Sequence, residues 1–240
     1  MPTRAALITG ATSGIGLSAA QQLAAAGWTV WVAGRRQRAA EDVAGEIGGR
    51  ALQLDVTDSE SIAAAAAAVD ELDALVNNAG AQPDFGVPLL EADVTVFRQS
   101  YETNVFGAAA VTNAFLPALR RATSPRIVNV SSGTASFAWS TGPNPQFDYE
   151  AAAASGGRFA VYRSSKAALN MLTLLYAQAL ADDGFKVNAL APGARRTNLN
   201  PSMRGEDPTE AGAAVVSLLE LPADSPSGQL FSYDGTIAPW

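Results

Sequence analysis

Segments of two periodicities alternate along this chain, and no other property of the sequence narrows its possible folds as far. Short apolar runs over residues 5–8, 29–33, 51–54, 72–77, 126–130, 186–191 and 230–233 read as strands. Helix-length segments separate most of them. These are 17–26, 39–47 stopped by Gly48-Gly49, a stretch opened by the capping pair Asp58-Ser59 and carried by the alanines 63–68, 93–119, 162–181 and 209–219. Strands joined through helices imply right-handed crossovers and a parallel sheet covered on both faces. The expected fold class is therefore α/β, a doubly wound parallel sheet. A chain of 240 residues, 48% of them hydrophobic, is expected to form it as a single domain. In such a sheet a ligand lies beyond the carboxyl ends of the strands, so the strand ends are read in turn.

The first strand runs into Thr9-Gly10-Ala11-Thr12-Ser13-Gly14-Ile15-Gly16. A strand, a glycine turn and a helix start place unpaired N–H groups and the positive end of the helix dipole where a phosphate can use them, and glycine lets the backbone come close. A glycine bend can also serve only to join strand to helix. The glycines at 10, 14 and 16 do not fit the dinucleotide spacing G-x-G-x-x-G.

After the second strand, a carboxylate would suit the ribose 2′-OH of NAD, whereas an arginine suits a 2′-phosphate. This chain presents Gly34-Arg35-Arg36, and its first forty residues hold Arg4, Arg35, Arg36 and Arg38 but no Asp or Glu. In a protein with a formal charge of −7 that local excess is notable; it is also what a solvated helix start looks like. Arg35, just past the strand, points to NADP(H). Asp55, with Val56 beside it, follows the third strand and can accept a hydrogen bond from an adenine amino group. Asn77-Asn78-Ala79-Gly80 follows the fourth and offers amide and backbone groups near a ribose, although a plain turn uses Asn-Gly chemistry too.

Lysine occurs only as Lys166 and Lys186, and Lys166 stands four residues after Tyr162, on one face of a helix. An ammonium close to a phenol favours the phenolate and lowers a pKa that starts near 10, so this tyrosine is expected to exchange protons near neutral pH. Tyr101, Tyr149, Tyr176 and Tyr233 have no lysine at that spacing.

Taken together, the T-G-x-x-x-G-I-G turn, Asn-Asn-Ala-Gly after the fourth strand, and Asn104, Ser132, Tyr162 and Lys166 resemble the motifs of the classical short-chain dehydrogenases/reductases. The resemblance covers most of the chain and closes with Pro192-Gly193 and Thr197, where that family holds the nicotinamide end. It implies a Rossmann-type domain and a catalytic tetrad. By resemblance Ser132, rather than Ser131, bonds the substrate carbonyl and Tyr162 protonates its oxygen. Lys166 holds the nicotinamide ribose and tunes Tyr162, and Asn104 keeps a water in the proton relay. The turn residues Gly10, Thr12, Ser13, Gly14, Ile15 and Gly16 are expected to carry the cofactor, with Arg35, Asp55, Val56, Asn78, Ala79, Gly80, Pro192, Gly193 and Thr197.

Two departures stand out. Arg195 occupies the position where the family normally has an aliphatic residue; its side chain is expected in solvent or toward cofactor phosphate. Thirty positions separate Ser132 from Tyr162, more than the family commonly has, so an insertion is expected at about 134–160. Its Phe137, Trp139, Phe147, Tyr149 and Phe159, and the tail from Gly235 to Trp240, resemble the carbonyl reductase branch. The insertion is expected to cover the outer faces of the helices 93–119 and 162–181 and so to favour a monomer.

The function implied is NADPH-dependent, reversible reduction of a ketone or aldehyde. The alternatives are a non-catalytic NADP(H)-sensing regulator, for which loss of the tyrosine or lysine would be the mark, and a sugar-type epimerase or dehydratase, for which the tail after Pro192 leaves little room. The acidic balance argues against nucleic acid. The absence of Cys and His removes thiol and Ser-His-Asp chemistry and the usual zinc, haem and iron–sulfur ligands. No apolar run approaches the roughly 18 residues of a membrane span, and nothing at the N-terminus reads as a signal peptide; a cytoplasmic protein is the expectation.

Overall fold

The computed structural model describes residues 3–199 and 205–240. The elements follow the chain as β1 (Ala5–Thr9), α1 (Gly14–Ala25), β2 (Thr29–Gly34), α2 (Gln37–Ile47), β3 (Arg50–Gln53), α3 (Ser59–Ala67), β4 (Ala74–Asn77), α4 (Val94–Tyr101), α5 (Ala108–Leu119), β5 (Arg126–Val130), α6 (Phe137–Thr141), α7 (Tyr149–Ala154), α8 (Ala160–Ala179), β6 (Lys186–Ala191), α9 (Thr209–Leu219), β7 (Leu230–Ser232) and β8 (Ile237–Ala238). They form an eight-stranded sheet in the order β3-β2-β1-β4-β5-β6-β7-β8. All neighbours pair in parallel except β8, which returns antiparallel to β7. The order reverses between β1 and β4, and a crevice opens at such a switch point.

Alternation along the strands divides the core into two halves. Ala6 and Ile8 of β1 face one side, with Val30, Val32, Val76 and Val128, and meet Leu23 of α1 and Val215 and Leu218 of α9. Leu7 faces the other side, with Leu75, Ile127 and Val187, and meets Phe115 and Leu119 of α5. Because side chains on a strand alternate sides, burying both faces makes every residue of β4 and β5 buried. Asp58 caps α3 as its sequence foretells, accepting from the N–H groups of Glu60 and Ser61.

The long helix expected over 93–119 is interrupted. Asp93 caps α4, and a π-helical turn over Glu102–Gly107 joins α4 to α5. The wider turn inserts a residue and re-aims its side chains, and Asn104 is buried within it. Gly107 permits this path, since a Cβ there would stand 2.6 Å from the Val56 carbonyl oxygen.

The segment 134–160 does not lie where the sequence suggested. Trp139 of α6 packs on Ala189, Ala191, Leu230 and Ala238, at the sheet edge beside Trp240. The Ser136 hydroxyl donates to the Pro239 carbonyl at 2.6 Å, and Ala138 N–H donates to the Trp240 carbonyl at 3.1 Å. The segment is thus fastened to the tail, while Phe106 ahead of α5 and Met171 and Leu175 of α8 each keep about half their surface exposed. The helix faces it was expected to cover stay open, which removes the reason for expecting a monomer. Among the described residues no helix is long and apolar enough to cross a membrane.

Candidate active site

The glycine turn is held by the fourth strand. Thr9 Oγ1 accepts from the N–H groups of Asn78 and Ala79, both at 3.0 Å, and the Asn78 amide donates to the carbonyls of Thr9 at 2.8 Å and Gly10 at 3.2 Å. Gly10 and Gly14 adopt φ +65° and +56°, where other residues are strained, and a Cβ on Gly14 would meet the Thr197 methyl at 3.0 Å. Gly16 has ordinary helical geometry but no room, because its Cβ would run into the Asn78 amide nitrogen. Ser13 precedes α1 in an extended conformation with no side-chain cap, and no acidic residue occupies the first turn. The helix start is therefore left to whatever anion approaches it.

A cleft of about 460 Å³ runs along these strand ends, from Arg35 and Asp55 at one end to Tyr162 and Lys166 at the other. It brings together most of the residues expected to bind cofactor: Gly10, Thr12, Ser13, Gly14, Ile15, Arg35, Asp55, Val56, Asn78, Ala79, Gly80, Tyr162, Lys166, Pro192 and Thr197. Gly16 and Gly193 are not on its wall. Of the four N-terminal arginines only Arg35 lines it; Arg4 pairs with Glu220 at 3.2 Å and Arg38 with Asp42 at 2.9 Å. Asp55 is steadied by Thr57, whose N–H and hydroxyl donate to its carboxylate at 3.0 and 2.8 Å. Thr57, Thr103, Val130 and Asn198 also line the cleft; no motif marks them, so sequence reasoning passed over them.

At the far end, α8 carries Tyr162 and Lys166. Lys166 is buried and donates through Nζ to the Val130 carbonyl at 2.8 Å, with that nitrogen 5.8 Å from the centre of the Tyr162 ring. The expected lowering of the phenol by the ammonium is not what this arrangement produces. Burial pushes Tyr162 up to about 12; a hydrogen bond with Ser132 works against that, and the charge of Asp84 adds to it. Burial alone brings Lys166 down to about 8. Taking a charge out of water outweighs an attraction that the lysine, turned toward a carbonyl, does not direct at the phenol.

The two serines after β5 have different partners, and Ser132, like Asn104, is not on the cleft wall. Ser131 lines the cleft, but its hydroxyl donates inward to Asn170 Oδ1 at 2.5 Å. The Ser132 hydroxyl caps the short turn that follows, accepting from Thr134 N–H at 3.2 Å, and lies 2.8 Å from Thr134 Oγ1. Asn104 sits behind Gly80: its Oδ1 accepts from Ala81 N–H at 2.8 Å, and its amide donates to the Ala81 carbonyl at 2.8 Å and Ser165 Oγ at 2.9 Å. Its first effect is to pin the end of the Asn77–Gly80 turn, and only the second lone pair of Oδ1 is open to a water. Below the site the Asn77 amide donates to Thr112 and Asn129, and the Asn129 amide to Thr173, tying β4, β5, α5 and α8 into one buried network.

Arg195 goes neither to solvent nor to the cleft. Its side chain is 2% exposed and donates to Glu206 at 2.8 Å and Glu210 at 2.9 Å. It also donates to the Pro192 carbonyl at 2.7 Å and lies 4.4 Å over the Tyr233 ring. The backbone bonds Arg196 N–H to the Glu206 carbonyl and Glu206 N–H to Ala194, so Arg195 staples together the two ends of the segment that contributes Thr197 to the cleft. Both glutamates are largely exposed, which weakens each pair, yet the cation itself cannot return to water without the staple opening. Glu206→Gln with Glu210→Gln is therefore expected to lower unfolding free energy by roughly 1 to 3 kcal/mol, read by urea unfolding; an unchanged midpoint would show that the carboxylates do not hold this cation.

The family model for short chain dehydrogenases matches residues 4–144 and 150–208. A short-chain dehydrogenase named anuI from Penicillium roqueforti is 37% identical over 225 residues, covering 88% of this chain and 85% of its own length. Among solved structures, the NADPH-bound carbonyl reductase from chicken fatty liver superposes with a TM-score of 0.82 at 28% identity, over the whole of both chains. The 3-ketoacyl-(acyl-carrier-protein) reductase from Brucella melitensis, complexed with NADH, gives 0.81 at 26% identity, covering 95% of this chain and 96% of its own.

Proposed function

Because this chain belongs to the short-chain dehydrogenase/reductase family of oxidoreductases, we propose that it reduces the carbonyl of a ketone or aldehyde to an alcohol, reversibly and with NADPH. The observation that carries this reading is one cleft lined by Arg35 at one end and by Tyr162 and Lys166 at the other. The fit to a dinucleotide rests on the uncapped start of α1, on Gly10 and Gly14, whose open backbone lets a phosphate come close, and on Asp55 at the adenine end. When bound, the nicotinamide supplies or accepts the hydride. Arg35 binds the 2′-phosphate by charge-assisted hydrogen bonds. Lys166 orients the ribose beside Pro192 and Thr197, and Ser132 bonds the carbonyl oxygen. Tyr162 gives that oxygen its proton, and a phenol that keeps its proton to about 12 holds the form that reduction needs. Asn104 keeps the Gly80 end of the wall in place and offers one acceptor to a relay water.

Among its structural neighbours one carries NADPH and another NADH, so cofactor choice turns on this chain's own residues. Arg35→Ala is expected to weaken NADPH binding tenfold or more, the equivalent of about 1.5 to 3 kcal/mol, and to leave NADH binding little changed. Equal losses for both would mean that Arg35 does not read the 2′-phosphate. The reaction class is tested by following NADPH oxidation over a panel of aldehydes and ketones; tight cofactor binding without turnover on any of them would favour a sensing role.

A further inference from the structure

Asp84 lies in the loop between β4 and α4 and is completely buried. Its Oδ2 accepts from the backbone N–H groups of Val161 at 3.0 Å and Tyr162 at 3.1 Å. Both amides belong to the first turn of α8, where N–H groups have no partner inside the helix. The preceding residue cannot supply one: Phe159 stands at φ 63° with no side-chain cap, and a phenyl ring has no acceptor. The helix that carries Tyr162 and Lys166 is thus capped by a residue 78 positions before Tyr162.

The same loop grips the approach to α8 at further points. Phe85 packs on Phe159 with ring centres 5.7 Å apart, and Leu89 N–H donates to the Gly156 carbonyl at 3.1 Å. Oδ1 of Asp84 is buried with no hydrogen-bond partner, and among the described residues no cation pairs with the carboxylate. The other groups near Tyr162 do not answer that charge. Lys166 is turned to the Val130 carbonyl, Arg163 to the Thr134 carbonyl and Ser140, and Ser132 is neutral. A carboxylate with no cation partner disfavours a phenolate nearby; burial is the main cause of the raised Tyr162 value, and Asp84 adds to it.

We propose that Asp84 is a positioning residue for Tyr162: its carboxylate, bonded to the Val161 and Tyr162 amides from a loop distant in sequence, fixes the first turn of the helix that presents the phenol. This rests on the reading of Tyr162 as the proton donor.

Asp84→Asn tests it, since one amide oxygen in place of Oδ2 can keep both bonds, and this variant is expected to hold kcat within a few-fold of the parent. Asp84→Ala, which loses both bonds, is expected to lower kcat tenfold or more with little change in KM for NADPH. An Asp84→Ala variant with unchanged kcat, or an Asp84→Asn variant that loses as much kcat as Asp84→Ala, overturns the proposal. In the unaltered protein the Val161 and Tyr162 amides are expected to exchange slowly with deuterium; exchange as fast as at an open helix end overturns it even if neither variant folds. Slow exchange of both amides that is lost in Asp84→Ala and kept in Asp84→Asn, in an enzyme that turns over no carbonyl compound, would support the part played by Asp84 and count against the reductase reading alone.

Discussion

Tyr162→Phe is expected to bind NADPH as the unaltered enzyme does and to turn over its carbonyl substrate slower by a factor of roughly 10² or more. The substitution removes one oxygen and leaves the ring in place. Lys166 keeps its bond to the Val130 carbonyl, and Ser132 keeps the Thr134 N–H that it accepts, so neither the ribose side of the cleft nor the turn after β5 loses its support. What disappears is the phenol hydroxyl proposed as the proton donor. Water admitted to the site would have to protonate the oxygen instead, without the fixed geometry that makes general acid catalysis effective. The measurement is a cofactor titration beside steady-state rates. Rates within a few-fold of the parent would sink the assignment of Tyr162, and lost cofactor affinity would mean that the hydroxyl holds the cofactor more than it moves a proton.

Gly16→Ala should weaken NADPH binding by roughly 100-fold, about 3 kcal/mol. Two effects oppose each other here. In a helix interior, alanine for glycine stabilises by about 1 kcal/mol. Against that, the new Cβ would meet the Asn78 amide nitrogen, stand 2.7 Å from the Gly10 carbonyl oxygen and lie 3.1 Å from Ala11 Cα. If Asn78 moves, its bonds to the Thr9 and Gly10 carbonyls are lost, at about 1 to 3 kcal/mol for a buried polar group left unpaired. If it stays, overpacking costs about 1 to 3 kcal/mol. Either way the turn that would hold the phosphates shifts. Gly45 of α2 supplies the comparison, because a Cβ there meets nothing within 4 Å and Gly45→Ala should stabilise by about 1 kcal/mol. Calorimetric titration and thermal unfolding of the two variants separate the cases; a Gly16→Ala chain that behaves like the Gly45→Ala chain would show that the close approach to Asn78 is not needed.

Much of the frame follows from the sequence alone because its rules are local. The alternation of strand and helix signals determined the parallel sheet, the glycines of residues 10–16 the turn between β1 and α1, and Asp58 the start of α3. The four-residue spacing of Tyr162 and Lys166 determined that they share a helix face, and a cleft follows from where parallel strands end. The tertiary structure decided what depends on residues distant in the chain. Gly16 is constrained by Asn78, which no helix propensity reveals. Arg195 found two glutamates and a tyrosine ring beyond the adjoining segment, while Trp139 took the first part of the 134–160 segment to the sheet edge, its end met the loop after β4, and Phe106, Met171 and Leu175 stayed open. The phenol of Tyr162 was moved up rather than down because desolvation is set by everything packed around a group, whereas sequence spacing shows only the neighbour one turn away.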